Sequence, residues 1–217
     1  MRQRIITIVL LLGLCFGLAL LVSATSRWHI PGNQQGYAPE QPIAFSHWLH
    51  AGELQISCKF CHSASEKSRY AGIPSSDTCM KCHRYVTAPF ADMRQEMQLA
   101  DKEERKPRTV ISPELKKLYQ SLALDDNLQP IEGEAPHSIP WVRVHNLPDY
   151  VCFNHQAHVA MGVSCQNCHG PVESMERVNQ HASLLMGWCV NCHRDSTRDG
   201  INGRKVHAST DCSVCHH

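Results

Sequence analysis

The chain has 217 residues, a formal net charge of +1 and 19% charged residues, against roughly 25% in an average soluble domain. So balanced a charge gives no reason to expect nucleic acid or an anionic surface as partner. The unusual content is 12 Cys and 15 His, which points to thiol and imidazole chemistry.

Met1-Arg2-Gln3-Arg4 is a basic start, and Ile5 to Ala24 follows without a charge. Such a run, about twenty residues, is the length that crosses a bilayer core. The positive end should stay in the cytoplasm and the remainder be exported to the periplasm. A single retained transmembrane helix over residues 1–26 is expected, although Val22-Ser23-Ala24 also resembles a signal-peptide cleavage site. Gly13 and Gly17 form G-x-x-x-G, a spacing that lets a partner helix approach but is also common in membrane helices. Cys15 is read as a small apolar residue of this helix. Residues 27–42, with Gly, Pro and Gln and no period, read as a tether.

A first module is expected over 43–100. It opens on Phe45-Ser46-His47-Trp48-Leu49-His50 and contains Cys58-Lys59-Phe60-Cys61-His62 and Cys79-Met80-Lys81-Cys82-His83. Residues 88–105 have helix-forming composition, with Met93, Met97 and Ala100 on one face. In the Cys-free stretch 101–140, Ser112-Pro113-Glu114 marks a helix start, and Leu115, Leu118, Tyr119 and Leu122 follow at helical spacing towards Asp125-Asp126-Asn127. This stretch reads as a helical linker. The second module, 141–217, repeats the pattern with Phe153-Asn154-His155-Gln156-Ala157-His158. Then come Cys165-Gln166-Asn167-Cys168-His169, Cys189-Val190-Asn191-Cys192-His193 and Cys212-Ser213-Val214-Cys215-His216. Cys152, in a strand-like run before Phe153, is read as a buried thiol.

Cys-x-x-Cys-His is the attachment unit of a c-type haem. Two thiols separated by two residues reach the two vinyl groups on one porphyrin edge, and the following imidazole binds the iron. One copy could be a redox dithiol or half a zinc ribbon, and five Cys pairs could be disulfides. Neither alternative explains a His after every pair, nor does zinc suit an odd number of pairs. Five covalent haems are therefore expected, on Cys58, Cys61, Cys79, Cys82, Cys165, Cys168, Cys189, Cys192, Cys212 and Cys215. His62, His83, His169, His193 and His216 would be the proximal iron ligands.

The opposite face of each iron sets the function. His47 and His50, and likewise His155 and His158, stand three apart and emerge from one turn, where they can serve two different haems. His145 completes a count of five distal candidates. Met175, Met186, His181 and His207 are alternatives, and His217 directly follows the last motif. His29 and His137 read as surface residues. With about forty residues per haem, the haems must replace much of the apolar core. The expected fold is a multihaem cytochrome c of short α-helices and loops, with little β-structure.

The F-x-H-x-x-H-A-G element leading a Cys-x-x-Cys-His resembles the class III cytochromes c. That resemblance implies His47 on the haem of His62, and His50 on a haem of the other module. A fuller likeness is to the membrane-anchored pentahaem subunits of alternative complex III, a bacterial quinol-oxidising complex. It is carried by the N-terminal anchor, Pro42 to His47 with His50-Ala51-Gly52, and Asp77 to His83. It continues in Ile139 to His145 with Leu147-Pro148, and in Met186 to Arg194. The resemblance implies a non-catalytic electron relay. Its partners would be iron–sulfur and polytopic membrane subunits on one side, and a monohaem cytochrome c or terminal oxidase on the other. A tethered relay in nitrate or nitrite respiration, or an outward electron conduit, is the alternative. A multihaem reductase is disfavoured, because no Cys-x-x-Cys-Lys occurs.

Overall fold

The computed structural model describes residues 2–25 and 33–216, with side chains left out at 23–25. Helix α1 spans Arg2–Thr25; its stretch Arg2–Val22 has a mean hydropathy of 3.0 and is not covered by protein. Among the described residues nothing lies within 4 Å of where a Cβ would stand at Gly13 or Gly17.

The remaining helices are short: α2 Cys58–Cys61, α3 Ser76–His83, α4 Phe90–Lys102, α5 Pro113–Ser121, α6 His155–Ala160, α7 Gln166–His169, α8 Met186–Asp199 and α9 Cys212–Cys215. A π-helical turn spans Trp48–Glu53, and 3-10 turns span Ser63–Glu66 and Val172–Ser174. Among the described residues there is no strand, only the bridges Leu124–Pro130 and Ile201–Arg204. The run holding Cys152 is coil and the thiol is half-buried. Its main-chain N–H donates to the Cys215 carbonyl at 2.8 Å.

The start of α5 follows from local chemistry. Ser112 Oγ accepts from the Leu115 N–H at 3.3 Å, and Pro113 occupies the first helical position. Both satisfy or remove N–H groups that lack helical partners. The helix stops at Ser121, earlier than the Asp125–Asn127 boundary expected, and Ala123 takes a positive φ of 54°. On α4 the inward face is Met93, Glu96 and Ala100. Met97, read from the sequence as sharing a face with Met93 and Ala100, is 57% exposed. Glu96 turns inward because the Arg105 guanidinium and the Arg108 N–H bond it, which holds its carboxyl down at about 2.

The Cys-free middle of the chain is a wall of the first module. Leu118 and Tyr119 of α5 pack on Met80 of the second motif, with Cys79, Ile43, Leu115 and Ile139 around them. Tyr119 Oη donates to the His83 carbonyl at 2.5 Å, so α5 fixes the end of α3. Residues 33–42 lie on the second module. Gln41 exchanges two hydrogen bonds of 2.9 Å with the main chain of Val142. Gly36 N–H donates to Gln180 O at 2.7 Å, and Gln180 N–H returns to Tyr37 O at 3.0 Å.

The two F-x-H-x-x-H elements pack reciprocally. The turn carrying His47 and His50 packs on Val172–Ser174, just after the third motif. Helix α6, carrying His155 and His158, packs on Ser63–Glu66, just after the first. A Cβ at Gly52 would meet the Glu173 carbonyl at 2.4 Å, so only glycine permits this approach. On the other side, the N–H groups of His155 and Gln156 donate to the carbonyls of Arg69 and Ser68 at 3.1 and 3.2 Å.

Two substitutions test these packings by thermal unfolding of the mature protein. Leu118→Ala should cost about 2–5 kcal/mol, because it opens a hole under Tyr119. Gly52→Ala should cost about 1–3 kcal/mol through overpacking. A Gly52→Ala protein as stable as wild type would remove the close approach to Glu173.

Candidate haem sites

The Cys and His residues of every motif line one continuous cavity of about 3780 Å³. That is several times the roughly 300–1,000 Å³ of an ordinary small-molecule pocket. Among the described residues no motif cysteine is in a disulfide, and no cluster of three or more His, Cys, Asp or Glu could hold a bare metal ion. Paired thiols beside an imidazole, repeated around one large apolar-walled space, are a donor set that fits several macrocycles. It fits zinc ribbons or a disulfide scaffold poorly.

The motifs have a spatial order, read from which thiols neighbour which. Burial, then Cys58 and Cys82, push the Cys61 thiol up, and burial with Cys61 does the same to Cys79. Cys165 is raised by burial and by Cys58, with which it is hydrogen-bonded. Cys168 is pushed up to about 11 by burial, then Cys192 and Cys189. Cys189 is raised by burial and then Cys215. The line of adjacency is therefore second motif, first, third, fourth, fifth.

The paired histidines are held alike in both modules. Phe45 lies 4.8 Å edge-on from His47 and 4.4 Å face-on from His50. Phe153 lies 4.8 Å edge-on from His155 and 4.5 Å face-on from His158. His50 and His158 each set Nδ1 at 2.8 Å from a carbonyl four residues back, that of Ser46 or Asn154. His155 Nδ1 sits 3.0 Å from the Arg69 carbonyl. A carbonyl at Nδ1 fixes the proton there and leaves Nε2 free as a ligand.

Two imidazoles on opposite faces of one metal, each with a bond of about 2 Å, place their ring centroids roughly 6 Å apart. His50 and His83 are 6.1 Å apart, His155 and His169 6.4 Å, and His158 and His193 6.0 Å. His47 lies near His62; burial first, then His62 and His50, hold it down at about 4. His169 is likewise held at about 4 by burial and then His145, His155 and His62. His145 and His158 are lowered, chiefly by burial. These imidazoles are neutral near pH 7, which is the ligand form. His50 therefore faces a motif of its own module, where the class III resemblance implied the other.

Other candidates fall differently. His145 lines the cavity but points at His169, with Nε2 at 3.2 Å from its Nδ1. His207 and Met186 line the cavity and are exposed; Met175 and His181 do not line it. Gly170, at φ +71°, lies under the His181 ring, where a Cβ would meet it at 2.5 Å. His137 is exposed, its N–H donating to Ser121 O at 2.8 Å. His29 and His217 lie outside the described residues. Sequence reasoning missed Gln180, a fully buried polar side chain between loops. An isolated Gln carries no pattern that announces such a role.

Residues 151–217 match the family described as cytochrome c7 and related cytochrome c. Over 221 aligned residues the chain is 24% identical to the multihaem cytochrome c subunit of menaquinone reductase from Nitratidesulfovibrio vulgaris, covering 93% of this chain and 88% of that one. With Cys-x-x-Cys-His units around a shared cavity, short helices and loops, and no strand among the described residues, the chain has the fold class of the multihaem cytochromes c, to which residues 151–217 are similar.

Proposed function

We propose that the chain carries five covalent haems in one line and serves as the electron-relay subunit of a membrane quinone/quinol oxidoreductase complex. The observation that carries this is the single cavity lined by every Cys-x-x-Cys-His unit. When bound, haem supplies one-electron exchange at iron. The chain's part is to hold, space and tune. His47 with His62, His50 with His83, His155 with His169 and His158 with His193 are the histidine pairs that would hold four of the irons. Two imidazoles on one iron close it to substrates and favour transfer over catalysis. His207, Met186 and His217 remain the candidates opposite His216. The thiol adjacency orders the line as second, first, third, fourth and fifth motif. Helix α1 is the anchor, and the haem body lies in the periplasm, in modules 43–100 and 141–217.

The likeness to alternative complex III favours electrons leaving quinol through an iron–sulfur partner towards a monohaem cytochrome or oxidase. A second reading is favoured by the menaquinone reductase relative. In it the same line delivers electrons from a periplasmic donor to menaquinone.

A pyridine haemochrome assay and intact mass on protein matured in the periplasm should give five haems; four or fewer, or zinc, would overturn the count. His50→Ala and His158→Ala should each convert one haem to a high-spin EPR signal, and unchanged spectra would remove that residue from the pairs. Purified in mild detergent, the chain should come with iron–sulfur and polytopic subunits; isolation alone would sink the complex. In that preparation, haem reduction by menaquinol supports the quinol-oxidising direction. Reduction by a soluble cytochrome but not by quinol supports the other.

A further inference from the structure

Four of the five motif histidines turn Nδ1 to a main-chain carbonyl. His62 meets Gly72 at 2.8 Å, His83 meets Val86 at 2.8 Å, His193 meets Ser209 at 2.5 Å and His216 meets Tyr150 at 3.1 Å. His169 departs from this pattern. Its Nδ1 lies 3.2 Å from His145 Nε2, with the rings 4.3 Å apart and inclined at 72°. A histidine that binds iron through Nε2 keeps its proton on Nδ1. His169 is therefore the donor and His145 Nε2 the acceptor. A lone pair engaged in that hydrogen bond is not free for an iron. His155 already faces His169 at 6.4 Å, the spacing of two ligands across one metal.

His145 is held in place from behind. The Asn146 N–H donates to Gln180 Oε1 at 3.3 Å. Gln180 is fully buried and donates Nε2 to the carbonyls of Ala182 and Ser183 at 3.1 and 3.3 Å. Its main chain is paired with Gly36 and Tyr37. A buried amide satisfied on every side is a rigid support.

We propose that His145 is a positioning residue: the hydrogen-bond acceptor that orients the iron-binding imidazole of His169 and raises its basicity, and not a sixth ligand. This rests on the haem reading above. An outer-shell acceptor of this kind strengthens the ligand's donation to the metal. An imidazole nitrogen is a stronger acceptor than the amide carbonyls serving the other four motifs. The extra donation favours ferric iron, so this haem takes electrons at a lower potential than it would with a carbonyl in that place.

The test uses the full-length haem-loaded chain with His145→Leu and His145→Gln. In His145→Leu every haem should stay low-spin by EPR, while one step of the redox titration moves to higher potential. His145→Gln, which returns a carbonyl acceptor, should bring that step part of the way back. Gln180→Leu, which frees Asn146 without touching either ring, should move the same step in the same direction by less, and stands in if the His145 variants do not mature. A new high-spin haem in His145→Leu would make His145 an axial ligand and overturn the proposal. An unmoved titration would also overturn it. A haem count below five in the wild type would instead indict the underlying haem reading.

Discussion

Among the described residues the buried apolar cluster is Met80, Leu118 and Tyr119, and most other buried apolar positions are alanines. A chain of this size ordinarily withdraws roughly 70% of its unfolded surface from water, and that burial is the main force for folding. Here the centre is a cavity walled by Cys, His, Phe, Trp and Val. A polypeptide so poor in its own core needs apolar material from elsewhere, and the covalently held porphyrins proposed above would supply it. The short helices follow from the same constraint. A helix of four residues such as α2 or α9 is far too brief to be stable alone, but it need only present two thiols and an imidazole to a common space.

The duplicated F-x-H-x-x-H element acts on two levels. Locally, one Phe clamps two imidazoles, edge-on to the first and face-on to the second, with nearly the same spacings in both copies. Globally, each copy bears on the turn after the other module's first motif, which brings Cys58 against Cys165. The repeat thus produces an arrangement with approximate two-fold character. The first and third motifs meet at the centre, the second and fourth lie outside them, and the fifth extends one arm.

The motifs and the paired histidines were readable because their signals are local. A Cys-x-x-Cys-His unit sits within one helical turn, and so does a pair of histidines three apart. Ser112-Pro113 declared a helix start that α5 adopts. Helix faces were less legible. Met97 has the right period to be inside, yet Glu96 takes that place because Arg105 and the Arg108 N–H neutralise it. The wall formed by α5 on Met80 depends on tertiary contacts that composition does not announce. The same holds for residues 33–42, which looked like a spacer and pair with Gln180 and Val142. His145 was drawn into a count of ligands because the number of motifs asked for five. Its neighbour Asn146 is bonded by Gln180, thirty-four residues further along the chain.

The extra motif gives the proposed line two unlike ends. At one end the second motif is backed by the chain's own apolar cluster, and the Tyr119 hydroxyl pins the His83 carbonyl. At the other, α9 has no buried residue, Cys212 is exposed and Val214 is 52% exposed. A haem held against the packed side of α3 would be more enclosed than one carried on α9, which would be more open to another protein. A symmetric pair of dihaem modules would have equivalent ends and no built-in distinction between donor and acceptor. Appending one motif to a single arm removes that equivalence with about twenty residues of polypeptide, the spacing between successive motifs in the second module.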